Sequence, residues 1–169
     1  MPPQLVPELI CSDLVRSTAF YCDVLGFKVR YGRPAERFAY LERDGAELML
    51  EQPLDQTRLF PTAELRFPYG RGVNFQIAVT DVDAVHAAVL AAGSELVLAI
   101  EQRWYERATD DIHIRQFAVR DPDGYLLRFS QDLGSRPADG IDVDPGSGSA
   151  ARRRDPAIIA GAEEREAGY

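Results

Sequence analysis

Few residues of this chain are suited to catalysis. It contains two histidines, His86 and His113, two cysteines, Cys11 and Cys22, and a single lysine, Lys28. One histidine falls within a helical pattern and the other near a strand start, where a lone histidine is more often a surface side chain than a ligand. Neither cysteine has the His-rich surroundings of a nucleophile, and one lysine leaves little scope for Schiff-base chemistry. The sequence therefore offers no evident nucleophile and no histidine-based metal site.

The charge balance argues against a polyanionic partner. The 169 residues carry 19 basic and 27 acidic side chains, which gives a formal net charge of −8. An acidic surface repels nucleic-acid phosphates and anionic lipids, and it weakly attracts small cations. No apolar run is long enough to span a bilayer, and the first residues lack the features of a secretory signal. We therefore expect a cytoplasmic protein with reduced cysteines and no nucleic-acid or membrane partner.

One supersecondary pattern occurs twice. In the first half, Ser12–Leu14 opens a helical stretch that ends at Leu25–Phe27, and an Asp44–Gly45 turn leads into a short apolar strand. In the second half, Thr80–Val82 opens another helical stretch, and an Asp123–Gly124 turn leads into another strand. The copies are offset by 68 residues at the helix start and by 79 at the turn. This pattern indicates a duplicated unit with loops of unequal length.

Periodicity within each copy predicts the order β-α-β-β-β. Apolar residues three or four positions apart indicate the helices, and short runs between polar turns indicate the strands. Ser12 is the expected N-cap of the first helix. The predicted helices cover Leu14–Leu25 and Val82–Ala92, and the predicted strands cover Leu5–Cys11, Phe27–Tyr31, Phe38–Arg43, Ala46–Glu51, Val73–Val79, Glu95–Ile100, Ile114–Val119 and Tyr125–Ser130.

These elements predict one domain followed by a tail. The domain covers residues 1–134 and contains two modules at about 4–52 and 72–132, joined by a proline-containing crossover loop over residues 52–71. After Gly134 the composition shifts to Gly, Pro, Ser, Asp and Ala, with Gly146–Ser149 at its centre. Residues 135–169 are therefore predicted to form a flexible, Gly/Pro/Ser-rich C-terminal tail.

Together the motifs resemble a known family. Ser12–Leu14, followed by Phe20–Tyr21 and Leu25–Phe27, and the later segment Asp121–Leu127 are similar to the vicinal-oxygen-chelate superfamily, also called the glyoxalase/bleomycin-resistance/dioxygenase superfamily. The resemblance covers roughly residues 4–132. It implies an α+β fold of two βαβββ modules, each of which curls a sheet into a half-cup, usually assembled as a homodimer.

In metal-using members, the resemblance implies ligands on the first and last strands of each module. Aligning the helix starts and the Asp-Gly turns puts these four positions at Val6, Asn74, Met49 and Arg128. Zinc, iron and manganese prefer imidazole, thiolate or carboxylate ligands. A guanidinium would repel a cation. We therefore expect no metal and no other cofactor, although a shift in strand register would offer Glu8, Glu47 or Gln76 instead.

Positions without metal ligands favour the bleomycin-resistance branch, whose members bind a drug without chemistry. The resemblance places a stacking residue at Trp104, the only tryptophan, which lies among charged residues rather than in an apolar run. Phe38 matches the second aromatic wall of that branch, with core packing as the alternative. An acidic cleft would add long-range attraction for a cation. No catalytic residue is predicted, and the predicted ligand-binding residues are Trp104, Phe38, Tyr105, Arg115 and Glu47.

The resemblance thus implies a homodimer that confers antibiotic resistance by sequestering a cationic aromatic antibiotic, such as a bleomycin-like drug. Val6–Pro7 resembles the Val-Pro that accompanies exchange of the N-terminal strand between subunits, but it also fits an ordinary edge-strand proline. Two alternatives stay open. One is an enzyme of the same superfamily, a lyase, isomerase or ring-cleaving dioxygenase acting on a small metabolite. The other is a non-catalytic protein that docks onto another chain through tail residues Arg152–Arg154 and Ala157–Ala160.

Overall fold

Both predicted modules are present, each as a four-stranded sheet with one helix packed on one face. The computed structural model describes residues 5–54, 65–138, 141–142 and 151–152. Module one consists of β1 (Glu8–Ile10), α1 (Leu14–Ala19), β2 (Lys28–Arg33), β3 (Phe38–Arg43) and β4 (Ala46–Glu51). Module two consists of β5 (Asn74–Ala78), α2 (Val82–Ala91), β6 (Leu96–Glu106), β7 (Asp110–Arg120) and β8 (Leu126–Pro137). The predicted α+β fold of two βαβββ modules is therefore confirmed.

The two sheets have the same topology. Their strand orders are β1-β4-β3-β2 and β5-β8-β7-β6, and in each the first strand lies parallel to the last. Glu8 pairs with Met49, and Gln76 pairs with Arg128. These two pairs are separated by the same offsets, 68 and 79 residues, as the repeated motifs of the sequence. The duplication seen in the sequence thus reproduces the same strand register in both modules.

Aspartates start both helices. Asp13 rather than Ser12 caps α1, because its carboxylate accepts a hydrogen bond from the Arg16 N–H at 3.0 Å. Asp81 caps α2 in the same way, and accepts from the Ala84 N–H at 2.9 Å. After Ala19 the first helix continues as one π-helical turn, so the predicted helix is composite. No helix in the described part of the chain is long and apolar enough to cross a membrane.

One apolar core joins the modules. Leu41 and Leu50 contribute from the first sheet, and Phe117 and Phe129 contribute from the second, where their rings stack at 5.5 Å. Tyr21, from the π-helical turn, is completely buried beside them. Burying an aliphatic or phenylalanine side chain of this size stabilises the fold by about 1.5–3 kcal/mol. The core therefore fixes the two sheets in one arrangement.

Two buried carboxylates in the turn between β7 and β8 attach module two to the first helical segment. Asp123 accepts hydrogen bonds from the Ser12 N–H and the Ser17 hydroxyl, both at 3.1 Å. Asp121 accepts from the Tyr21 hydroxyl at 3.0 Å and from two N–H groups of its own turn. Burial raises the pKa of Asp121 to about 6. The segment Asp121–Leu127, part of the family resemblance, thus contributes a contact between the modules.

The last three strands of module two are longer than predicted. β6 continues past Ile100 to Glu106, β7 begins at Asp110, and β8 ends at Pro137. The added residues form a three-stranded arm, most of which is exposed. Residues 55–64 of the predicted crossover loop, and most of the predicted tail, lie outside the described residues. Two short strands, β9 (Ile141–Asp142) and β10 (Ala151–Arg152), pair antiparallel.

Candidate functional site

Each sheet turns one face to its helix, and among the described residues no helix or strand packs on the other face. Successive side chains of a strand point to opposite faces. In β3, Leu41 joins the core, so Phe38 and Tyr40 lie on the other face, which we call the open face of module one. In β7, Phe117 packs against a side chain of α2, so Gln116 lies on the open face of module two. The core does not fill these faces, and they form the candidate site.

Three aromatic rings line the open face of module one. The Tyr31 ring stacks on the Tyr40 ring at a centroid distance of 4.9 Å and lies 6.0 Å from the Phe38 ring. Phe38 is only 3% exposed, and the Arg33 guanidinium lies 3.7 Å from its ring centroid. Tyr31, by contrast, is 47% exposed. The row therefore offers a ligand the well-exposed ring of Tyr31 and, beside it, the partly exposed ring of Tyr40.

Two glutamates on this face differ in their partners. Glu47 accepts hydrogen bonds from the Arg30 guanidinium at 2.9 Å and from the Tyr40 hydroxyl. The hydrogen bond to the Glu47 carboxylate raises the pKa of Tyr40 above its ordinary value. Glu51 lies opposite Phe38 in the β3–β4 register, and its side chain has no hydrogen bond or ion pair with any described residue. Glu51 is therefore better placed than Glu47 to pair with a cationic ligand.

A buried amide organises the open face of module two. Gln116 is 2% exposed, and its Nε2 donates to Glu101 at 2.8 Å and to the Tyr105 hydroxyl. Its Oε1 lies 3.5 Å from a terminal nitrogen of Arg128. The Nε of Arg128 is buried and has no hydrogen-bond partner among the described residues. This face therefore presents a fixed polar cluster with one unsatisfied donor.

The structure does not bring the five predicted ligand-binding residues together. Phe38 and Glu47 lie on the open face of module one, and Tyr105 lies on the open face of module two. Trp104 and Arg115 lie on the opposite, helix-bearing face of the second sheet, where Arg115 pairs with a carboxylate of α2 at 2.6 Å. The sheet of module two therefore separates Trp104 and Arg115 from Tyr105.

Trp104 already has partners on the arm. It lies opposite His113 in the β6–β7 register, and the two rings stack at 4.4 Å with an interplanar angle of 7°. The guanidinium of Arg136 lies 4.3 Å from its ring centroid. The side chain is nevertheless 44% exposed. A ligand role for Trp104 stays a prediction.

Comparison with known proteins gives the family. The sequence profile described as "Glyoxalase/Bleomycin resistance protein/Dioxygenase superfamily" matches residues 4–129. The chain belongs to this superfamily. Nothing among curated proteins is similar enough to count as a match.

Several solved structures are similar to most of the chain. A superfamily member from Vibrio splendidus 12B01 is 44% identical over 76% of this chain and 97% of its own, with a TM-score of 0.35. A virulence protein from Salmonella typhimurium is 25% identical over 78% of this chain and 98% of its own, with a TM-score of 0.55. TioX from Micromonospora sp. ML1 is 23% identical over 78% of this chain and 100% of its own, with a TM-score of 0.60. The likeness to TioX shows a shared fold.

The positions at which the superfamily resemblance implies metal ligands do not suit a divalent cation here. In the strand register Met49 and Arg128 lie opposite Glu8 and Gln76, which are two residues after Val6 and Asn74. Whether the first-strand positions are Val6 and Asn74 or Glu8 and Gln76, the set includes a thioether and a guanidinium and does not match the preferred ligands of zinc, iron or manganese. Within the described ranges no group of three His, Cys, Asp or Glu side chains could hold a metal.

The thiols and imidazoles occupy packed surroundings. Burial raises the pKa of Cys11 to about 12, and it also raises that of Cys22. Both side chains are therefore thiols rather than nucleophilic thiolates at neutral pH. His86 packs edge-on against Phe117 at 5.1 Å. With His113 stacked on the arm, the two histidines lie in separate environments.

A groove of about 330 Å³ lies where the two modules meet. Its apolar lining includes Leu9, Phe27 and Phe75, and its polar lining includes Glu47 and Gln76. Glu47 belongs to the open face of module one, and Gln76 belongs to that of module two. The groove therefore adjoins both open faces and could receive an apolar part of a ligand.

Sequence reasoning missed Tyr31 and Gln116. A β-bulge between Val29 and Tyr31 inserts one residue, so Val29 pairs with core residue Leu41 but Tyr31 pairs with Tyr40. Without the bulge, Tyr31 would lie on the same face as Val29. Gln116 had a usable signal, since it is a polar residue that directly precedes the apolar run Phe117–Val119.

Proposed function

We propose that this chain binds a flat, ring-bearing small molecule with a cationic group on the open face of module one, and holds it without transforming it. The observation that carries the proposal is the half-exposed ring of Tyr31 within an aromatic row that ends beside Glu51. Stacking on a tyrosine and pairing with a carboxylate require no nucleophile and no proton transfer. Antibiotics with planar rings and amino groups, those of the bleomycin type included, are candidate ligands.

A homodimer belongs to this proposal. Members of the superfamily often bind small molecules and form dimers. Within the described residues β1, β2, β5 and β6 each pair on one side only; β1 and β5 line the groove between the modules, so β2 and β6 are the edges to which a second copy could add. Sedimentation equilibrium at micromolar concentration tests this part by itself. A stable monomer would remove the dimer and leave the ligand site unaffected.

Calorimetric titration of the full chain with bleomycin-class and simpler cationic aromatic compounds tests ligand binding. Tyr31→Ala is the informative variant, and Trp104→Ala is its matched control, because the two aromatic side chains are 47% and 44% exposed on different sheets. Stacking contributes about 0.5–1.5 kcal/mol beyond the area that it buries. With the lost contact area included, Tyr31→Ala should weaken binding about tenfold or more. Trp104→Ala should leave binding nearly unchanged.

If Trp104→Ala weakened binding and Tyr31→Ala did not, the stacking residue would be Trp104, as the sequence predicted. If none of the compounds binds, or if a chemically altered product is released, sequestration is wrong. An altered product would support the alternative of a superfamily enzyme acting on a small metabolite.

A further inference from the structure

We propose that the open face of module two carries a second binding site, centred on Arg128, for a small oxyanion such as a carboxylate or phosphate group. The site lies on β8, between Gln76 of β5 and Ala118 of β7 in the strand register. It does not depend on the aromatic ligand proposed for module one.

The strongest observation is an unsatisfied buried donor. The Nε of Arg128 is buried without a hydrogen-bond partner in the described part of the chain, and a terminal nitrogen reaches only the Gln116 amide oxygen, at 3.5 Å. Buried polar groups of native proteins almost always have a partner, and an unpaired one is costly, above all when it is charged. A bound anion would supply the missing acceptor.

Arg128 also lacks an ion pair. Its side chain has no carboxylate partner among the described residues, and the nearby Glu101 already accepts the hydrogen bond from Gln116. Other arginines do have partners: a carboxylate lies within 4.0 Å of Arg16, Arg30, Arg33, Arg107, Arg115 and Arg136. Arg128 thus keeps a positive charge that the described chain does not neutralise.

One terminal nitrogen of Arg128 contacts Gln116, and the Arg128 residue as a whole is still partly exposed. Gln116 is fixed by Glu101 and Tyr105, and so presents its amide oxygen to Arg128 in one orientation. On the other side, Gln76 is exposed on an edge strand. A guanidinium binds two oxygens of a carboxylate or phosphate side by side, and a neighbouring amide can donate to the same group. The arrangement therefore suits a compact oxyanion that arrives from the β5 side.

Nitrogen-15 NMR of the full chain tests the site directly. The Nε–H resonance of Arg128 is identified by its loss in Arg128→Lys, and it is then followed during titrations with acetate, benzoate and inorganic phosphate at constant ionic strength set with chloride. We expect a saturable shift with at least one of the three anions and none with chloride. The titration itself uses the unaltered protein, and Arg128→Gln provides a second variant for the assignment if Arg128→Lys folds poorly.

Thermal unfolding supplies the second measurement. The anion that saturates the NMR signal should raise the melting temperature of the unaltered chain, and Arg128→Gln should weaken its binding about tenfold or more. Arg120→Gln is the control, because Arg120 is an exposed arginine of β7 and its replacement changes the net charge equally. Linear, unsaturable shifts with every anion, or equal losses in the two variants, would overturn the proposal. Neither outcome bears on Tyr31.

Discussion

Replacing Asp121 with asparagine should change how the stability of this protein depends on pH. Burial is the main cause that raises the pKa of Asp121 from 3.8 to about 6, against the opposing effect of its hydrogen bonds. In the unfolded chain the same carboxyl returns to about 3.9. One pKa unit corresponds to about 1.4 kcal/mol, so holding this carboxylate ionised in the folded state costs about 3 kcal/mol.

The sign follows from proton binding. Between about pH 4 and pH 6 the folded protein binds more protons at Asp121 than the unfolded chain does, so this residue lowers the free energy of unfolding as pH rises. Above about pH 7 the cost is nearly complete and constant. The asparagine side chain of the variant would carry no charge, its oxygen could still accept from the N–H groups of Asp123 and Tyr125, and its amide could donate to the Tyr21 hydroxyl. The advantage of Asp121→Asn over the unaltered chain should therefore grow by about 2 kcal/mol between pH 4 and pH 7.

Urea unfolding at four pH values across this range measures the difference. Asp23→Asn is a matched control, because it removes one carboxylate from an exposed position in the π-helical turn that also contains Tyr21. Its effect measures what removal of one exposed carboxylate does by itself. A constant difference for Asp121→Asn would show that folding leaves the pKa of Asp121 unchanged, and a growing advantage of the unaltered chain as pH rises would show that the fold favours the ionised carboxylate. Either result would refute the reasoning.

Two further predictions concern the same turn. Asp123→Ala should lower the free energy of unfolding by about 2–4 kcal/mol, because buried donors lose their acceptor. Arg16→Ala, which removes the exposed partner of Asp123, should lower it by less than about 1 kcal/mol. Equal losses in urea unfolding would contradict this prediction. Gly124 and Gly45 both have φ near 90°, but only at Gly124 would a Cβ lie 2.5 Å from the Pro68 Cβ. Gly124→Ala should therefore lower the free energy of unfolding by about 1–3 kcal/mol more than Gly45→Ala. Similar melting temperatures for the two variants would show that the segment around Pro68 moves to accommodate the added Cβ.

The fold was accessible from the sequence because local signals agreed with tertiary packing. The bounds of β3 and β4 match the prediction residue for residue, since polar turns flank both strands and the intervening Asp44–Gly45 turn adopts positive φ at both residues. The arm was missed for a physical reason. Segments such as Gln102–Glu106 and Gln131–Pro137 are mostly polar and exposed. Backbone hydrogen bonds between the strands stabilise them, so their sequence lacks the alternation of apolar and polar residues that predicts a strand.

The candidate site was less accessible, because it depends on which face each side chain occupies. Trp104 and Tyr105 are neighbours in sequence, yet they belong to opposite faces of one sheet. A stretch of aromatic and charged residues does not reveal which side chains point to which face of the sheet. One inserted residue moves every later side chain of the strand to the other face. The bulge before Tyr31 is such an insertion, and it brings that ring beside Tyr40 and Phe38. The face of the sheet to which a side chain points, not its residue type, therefore decides which aromatic residues can contact the same ligand.

The duplicated architecture also explains why the two open faces can recognise different chemistry. The same register places Met49 beside Glu8 in module one and Arg128 beside Gln76 in module two. These open-face positions do not contribute to the shared apolar core, so their side chains can differ between the modules without altering the strand pairing that positions them. Module one presents aromatic rings and glutamates on its open face, whereas module two presents a guanidinium near a buried amide. A duplicated fold can therefore present two faces of different chemistry in a single chain.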